Sequence, residues 1–525
     1  MTSSAIGQWL DLFMMIALCA LIMTGIPVVF VLTGCAVVFA LIGVAVGAFD
    51  LFLLGALAQR LFGTMTSEVL IAIPLFIFMG IMLEKSRIAP ELIEAMGRLF
   101  GSLRGGLAVS VTLVGALLAA STGIVGATVV TMGLIALPAM VRYRYDPGLA
   151  TGTICAAGTL GQIIPPSTVL VILGEVLAGA YQQAQLAQGK FSIETISVGQ
   201  LFAGAMIPGL MLAGLYIVYQ ILLCQLRPEA GPPIPAEERA AVPAGVLLRA
   251  LLPPIGLIVA VLGSILGGIA TPTEAAAVGA IGATLLAGLR NAGEGPSWPI
   301  HAAVAAALLM VVLAALFDLR LGRQEAPLSD RIAIGVATLL GLVLAYGIAL
   351  SLWRAFRGGM LGSVSHSTMT VTAMIFATLI GATLFSLVFR GLGGDEMIRH
   401  ALEAIPGGKY GALAVVMLVV FLLGFPLDFV EIVIIVIPIV GPVLLQMDID
   451  PIWLGVMIAV NLQTSFLTPP LGPTLFYLQG VLPRGITSRD VYRGVVPFVA
   501  LQCAGLGLLM AFPGLATWLP GLLFP

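Results

Sequence analysis

Charge is scarce in this sequence. Of 525 residues, 9% are Asp, Glu, Lys or Arg, and the net charge is −2. So few cations leave no electrostatic footprint for nucleic acid. There are 3 histidines and 5 cysteines. Cys19, Cys35, Cys155, Cys224 and Cys503 stand singly in or beside apolar segments, with no metal or disulfide spacing, and read as lone buried thiols. The chain has no Gly-x4-Gly-Lys-Ser/Thr phosphate loop, no His-Glu-x-x-His, no Gly-x-Ser-x-Gly and no pair of catalytic acids. These absences argue against an ATP-driven pump and against an intramembrane enzyme. Residues 1–11 carry no Lys or Arg ahead of the first apolar run, which argues against a cleaved signal peptide.

What is abundant is apolar surface, at 60% of residues. A soluble domain does not have that composition; a polytopic all-α membrane protein does. Apolar runs at 12–24 and 27–48, split by Gly25-Ile26-Pro27, read as two crossings or one long broken helix; those at 67–84, 201–222, 248–268, 300–317, 332–353, 368–389 and 495–517 read as crossings, and 51–65 as a short surface helix. Residues 182–200 and 226–246 read as polar loops. Ile88, Leu92, Met96 and Leu99 recur at helical spacing between Glu91, Glu94 and Arg98, which predicts an amphipathic helix over 86–100 lying along the interface. Met397, Ile398, Ala401 and Leu402 repeat the pattern after Asp395.

One stretch breaks the rule of continuous helices. In Leu160-Gly161-Gln162-Ile163-Ile164-Pro165-Pro166-Ser167 the two prolines have no N–H to donate and leave the carbonyls of Gly161 and Gln162 free. Freed carbonyls at membrane depth are tolerated where they face protein or a wet cavity, and they suit a desolvated cation. A plain proline kink is the competing reading. The second copy decides between them. Asp146-Pro147 precedes Pro165-Pro166 by nineteen residues, and Asp450-Pro451 precedes Pro469-Pro470 by the same nineteen, an offset of 304. Interrupted apolar helices at matching positions in two halves mark the binding site of a secondary transporter.

Each break follows a stretch that reads as a re-entrant hairpin: two apolar half-lengths around a small polar tip. The first tip holds Ser121, Thr122, Gly123, Gly126 and Thr128; the second holds Gly424 and Asp428. Hydroxyls and half-helix ends at such tips suit ion or carboxylate contacts; small residues there also serve tight helix packing. Asp428 and Glu431 are acids within an apolar run and so functional candidates, with local pairing open for Glu431. Thr271-Pro272-Thr273-Glu274 is a capped helix start. An odd number of crossings separates the two hairpins, so the repeats are inverted. Placing 85–105 in the cytoplasm puts 15 of the 23 Lys and Arg inside.

The motifs Thr122-Gly123…Gly126-Ala127-Thr128, the Asp146-to-Ser167 stretch, Thr271-Pro272-Thr273-Glu274-Ala275-Ala276 and Thr468-Pro469-Pro470-Leu471-Gly472 resemble the large permease subunit of tripartite ATP-independent periplasmic (TRAP) transporters, from the N-terminus to about residue 515. The resemblance implies an elevator-type ion transporter of the bacterial inner membrane, driven by a sodium gradient. Its implied partners are a periplasmic solute-binding protein, a small four-helix membrane subunit, membrane lipid and a small organic acid substrate, with no cofactor beyond Na⁺. It divides the chain into scaffold helices at 1–85, a first repeat at 86–200, further scaffold at 201–390 with an extra apolar pair in 291–360, a second repeat at 391–480 and a C-terminal helix at 481–525. Carried over by position, sodium site 1 would use Ser121, Thr122, Gly123, Gly161, Ile164, Pro165 and Ser167. Sodium site 2 would use Gly424, Asp428, Thr464, Thr468 and Pro469. Substrate would meet Gly126, Thr128, Pro166, Asn461 and Pro470. Two departures stand out. Many relatives have Ser-Gly-Ser-Ser where this chain has Thr122-Gly123-Ile124-Val125, and a glycine is common where it has Thr464-Ser465-Phe466-Leu467. With the extra apolar pair, these features resemble the branch labelled for mannitol or chloroaromatic compounds.

Overall fold

The computed structural model describes residues 3–86, 88–122, 125–235, 244–291, 295–320 and 327–524. Among them all regular structure is helical, and ten helices are long and apolar enough to cross a membrane, or up to twelve if each bent pair is one span. The chain begins with α1 (Ser3–Ile22) and α2 (Val28–Ala45), two separate apolar helices split at Gly25, whose φ of +80° favours glycine. A 3-10 turn, Leu51–Gly55, precedes α3 (Ala56–Met65), which meets α4 (Glu68–Lys85) at a 51° bend.

The first repeat follows: α5 (Ile88–Phe100), the hairpin α6 (Gly106–Thr122) and α7 (Val125–Arg142), then α8 (Pro147–Thr159), the break, and α9 (Thr168–Ala187). Two expectations are corrected here. Leu92 and Ile88 of α5 are buried against protein, because the helix packs on α6 rather than offering its apolar face to the interface. The loop expected from residue 182 begins only after Ala187. Tyr181 and Gln185 stay helical because their polar ends bond Glu194 of the following segment.

Six helices then intervene, as the count of crossings requires: α10 (Val198–Leu226), α11 (Ala244–Leu266), α12 (Pro272–Arg290), α13 (Trp298–Leu316), α14 (Leu328–Arg357) and α15 (Met360–Leu392). Thr271 and Glu274 form the capping box at the start of α12. The extra pair, α13 and α14, sits against α12 at the periphery. Its buried Arg354 donates to the carbonyls of Gly288 and Pro296.

The second repeat comprises α16 (Gly394–Glu403), turned 118° from α17 (Gly408–Leu423), then α18 (Phe429–Gln446), α19 (Pro451–Leu467), a break and the short α20 (Pro473–Gln479). The single C-terminal crossing expected at 495–517 is instead α21 (Ser488–Ala511) followed by a separate α22 (Gly514–Leu523).

The 304-residue offset holds in detail. Asp146 caps α8 by accepting Leu149 N–H at 2.9 Å, and Asp450 caps α19 by accepting Trp453 N–H at 2.8 Å. Among the described residues, Arg144 and Asp448 are the two non-glycine residues with positive φ, +57° and +61°. Both Pro-Pro bonds, 165–166 and 469–470, are cis. Thr159 and Gln463 are equivalent positions, and they touch: Gln463 Nε2 donates to Thr159 Oγ1 at 3.2 Å. A position that meets its own equivalent lies on the local two-fold axis. Gln188, just beyond α9, donates to the carbonyl of Gln446 at the end of α18, beside the start of α19. The end of the first broken helix therefore shares a face with the beginning of the second, which is the inversion the sequence predicts.

Glycines set the closest packing. A Cβ on Gly152 of α8 would lie 2.2 Å from the carbonyl oxygen of Gly494 in α21, and one on Gly494 would lie 2.0 Å from that of Gly148. The spacing Gly148-x-x-x-Gly152 is the small-residue pattern that lets membrane helices approach by van der Waals contact.

Candidate functional site

The two breaks are built by local chemistry. In the first, the amides of Ile163 and Ile164 both turn back to the Leu160 carbonyl, a tightening that ends α8. Ser167 Oγ then donates to the Gln162 carbonyl at 3.2 Å, so one of the two carbonyls expected to be free is satisfied within the break. In the second, Thr468 Oγ1 donates to the Thr464 carbonyl at 2.7 Å, and Thr464 Oγ1 to Val460 at 2.8 Å. Each hydroxyl spends its proton on its own helix and keeps its lone pairs available.

A cavity of about 440 Å³ lies where the first break and the helices flanking the second meet the two hairpin tips. Gly126 and Ala127 contribute the first tip, Gln162 and Thr168 the first break, and Asp428 the second tip; Ile77, Val371 and Met374 close the side toward α4 and α15. Tyr477 of α20 also lines it. A Cβ on Gly126 would lie 3.1–3.3 Å from the Tyr477 ring, so the absent side chain is what admits the ring. The first hairpin thus rests on the second broken helix. Two polar atoms in this wall, Gln162 Oε1 and Thr168 Oγ1, are buried without a hydrogen-bond partner. Leaving such groups unpaired costs about 1–3 kcal/mol each, and a polar solute entering the cavity would relieve that cost.

Sequence and structure can be compared residue by residue. Gly161, Ile164, Pro165, Pro166 and Ser167 are together and buried in the first break. Gly424 is buried against the second break: its Cβ would meet Ser465 Oγ at 2.4 Å, and that hydroxyl donates to the Phe421 carbonyl at 2.6 Å. Asp428 caps α18 and faces the cavity, while Glu431 pairs locally, its Oε2 accepting Asp428 N–H at 3.0 Å. Asn461 does not line the cavity; its Nδ2 donates to the Met417 carbonyl at 2.7 Å and clamps α19 to α17. Thr128, Pro166 and Pro470 likewise lie outside the cavity wall. The side chains of Ser121 and Thr122, and all of Gly123, lie outside the described residues. Gln162, Thr168 and Tyr477 were missed. Gln162 and Thr168 carried a signal, since both stand within or beside the broken stretch. Tyr477 had none, because its place depends on a contact with Gly126 some 350 positions away along the chain.

Comparison with known proteins agrees with this geometry. The family described as "Tripartite ATP-independent periplasmic transporter, DctM component" matches residues 15–316 and 297–515. The C4-dicarboxylate TRAP transporter large permease protein DctM of Vibrio cholerae is 28% identical over 471 residues, 90% of each chain. The ectoine TRAP transporter large permease protein TeaC of Halomonas elongata is 24% identical, over 89% of this chain and 90% of its own. Among solved structures, the YdaH transporter of Alcanivorax borkumensis shares the fold with a TM-score of 0.53 at 15% identity, covering 89% of each chain. The chain therefore belongs to the DctM-component family of TRAP transporters: it is a multi-pass large permease of the bacterial inner membrane rather than an enzyme, part of a system that also has a small permease and a periplasmic binding protein.

Proposed function

We propose that this permease takes up a small organic acid, released to it by the periplasmic binding protein, using a sodium gradient and an elevator motion. The observation that carries the reading is the central cavity, in which both hairpin tips, the first break and the helices flanking the second meet beside unpaired Gln162 Oε1 and Thr168 Oγ1. Sodium is a hard cation that prefers oxygen. We assign site 1 to the first tip and the Gly161–Ser167 break, and site 2 to Gly424, Asp428, Thr464, Thr468 and Pro469. The lone pairs left on the Thr464 and Thr468 hydroxyls support the second assignment.

The mobile part would be the two repeats, 86–200 and 391–480, sliding against the remaining helices. In support, few side-chain polar contacts join the repeats to α4 and α15. Glu175 of α9 accepts from Ser67 at 3.0 Å, Thr131 of α7 donates to Glu84 at 3.1 Å, and Arg390 of α15 donates to Gln183 and to the Pro438 carbonyl. α10 and α21 are bonded to the repeats, Gln220 donating to Thr112 and Thr153 and Gln502 to Thr159, so the sliding surface is the one toward α4 and α15. The substrate class rests on the cavity's few polar groups and on relatives named for C4-dicarboxylate and ectoine, both small polar solutes. We take the small partner to be a separate four-helix chain, and place the inserted α13–α14 pair with the mannitol/chloroaromatic-labelled branch.

Uptake into proteoliposomes holding this chain and its small partner tests the proposal. Preloaded binding protein would be added outside, with and without an inward sodium gradient. Uptake that requires both is expected. Uptake with sodium but no binding protein would instead make this a free-standing carrier.

A further inference from the structure

We propose that a second cavity, at the start of α8, holds the phosphate headgroup of an anionic phospholipid. This cavity, about 780 Å³, lies between the α7–α8 turn, the end of α10 and the start of α21. Three arginines line it, Arg144, Arg227 and Arg493. None of the three side chains forms a hydrogen bond or ion pair among the described residues. That is unexpected, because Asp146, Glu229 and Asp490 share the wall. Two of these carboxylates are committed to helix starts: Asp146 accepts Leu149 N–H, and Asp490 accepts Thr487 N–H at 2.8 Å and its hydroxyl at 2.7 Å. Among the described residues Glu229 has no such bond, so three arginines face one uncommitted carboxylate and leave room for an outside anion. Leu223 and Pro497 continue the wall and offer an apolar surface to the first acyl carbons.

The inverted repeat gives an independent argument. The turn before each broken helix needs a residue in the left-handed region, and positions 144 and 448 are equivalent under the 304 offset. Glycine or asparagine would take that conformation with least steric penalty. At 448 the chain has Asp, one of the residues that tolerate it. At 144 it has Arg, which gains nothing locally from the conformation. Inversion places the two turns on opposite faces of the membrane, with the arginine on the face that carries 15 of the 23 Lys and Arg. By the charge bias this is the cytoplasmic side, where basic pockets between membrane helices bind anionic headgroups.

The test is native mass spectrometry of the full chain in mild detergent, supplied with equal phosphatidylglycerol and phosphatidylcholine. One phosphatidylglycerol retained in preference is expected. Arg144→Asn, which keeps the turn geometry, and Arg493→Gln should each weaken retention about fivefold, the effect of one basic residue at an anionic surface. Arg144→Lys should retain more lipid than Arg144→Asn, and Asp448→Asn on the opposite face should change nothing. Equal retention of the two lipids, or unchanged retention in the Arg144→Asn/Arg493→Gln double variant, would overturn the proposal. Displacement by millimolar inorganic phosphate, with phosphate itself bound in lipid-free protein, would reassign the site to a free anion. No outcome depends on sodium or on the binding protein, so this site and the proposed transport cycle stand or fall separately.

Discussion

Replacing Gly152 with alanine isolates the effect of helix proximity on the transport machinery. The new Cβ would lie 2.2 Å from the Gly494 carbonyl oxygen, 2.6 Å from its carbon and 3.0 Å from the Phe498 ring. An ordinary carbon–oxygen contact is more than 3 Å, so α8 and α21 must separate by about 1 Å. Two of the three obstacles are backbone atoms, which cannot swing aside as a side-chain end can. Overpacking costs about 1–3 kcal/mol, and a backbone obstacle belongs at the upper end. Better helix propensity returns up to about 1 kcal/mol, leaving a net loss of roughly 2 kcal/mol. Gly214 of α10 is the control, since a Cβ there meets nothing within 4 Å; its alanine variant should gain up to about 1 kcal/mol from propensity alone. The assay is the thermal inactivation half-life of purified protein, with sodium-driven uptake in parallel. Gly152→Ala should shorten the half-life and impair uptake, because α8 leads directly into the first break. Equal half-lives for the two variants would refute the packing argument.

Three further outcomes test the central site. Thr168→Val removes a buried hydroxyl that has no partner, so it should stabilise the resting protein by about 1 kcal/mol while raising the apparent KM for uptake about tenfold; unchanged KM would detach Thr168 from the solute. Asp428→Asn and Thr468→Ala should each weaken sodium activation more than they lower protein abundance, and unaltered sodium titrations in both would remove the second ion site. Gly126→Ala should displace the Tyr477 ring by a few tenths of an ångström and lower uptake several-fold; a Gly126→Ala/Tyr477→Leu double variant that is no worse than Tyr477→Leu alone would confirm that the two act through one contact.

The sequence alone determined features whose causes lie within a few residues of one another. The Asp-Pro caps at 146–147 and 450–451, the Pro-Pro breaks and the capping box at Thr271 are local statements about backbone hydrogen bonds, and each holds in the structure. Two copies of such a statement at one offset also fixed the repeat, and the odd number of crossings between them fixed its inversion. Tertiary structure decided what those elements face. It buried the apolar stripe of α5 against α6, extended α9 to Ala187 through bonds to Glu194, and turned Asn461 from a solute contact into a clamp on α17. It also chose Gln162, Thr168 and Tyr477 as cavity wall. The physical reason is the range of the forces involved. Caps and breaks arise from donors and acceptors at most five positions apart. The cavity arises from van der Waals fit between segments hundreds of residues apart, such as Gly126 with Tyr477, and no periodicity in one segment encodes the shape of its distant partner.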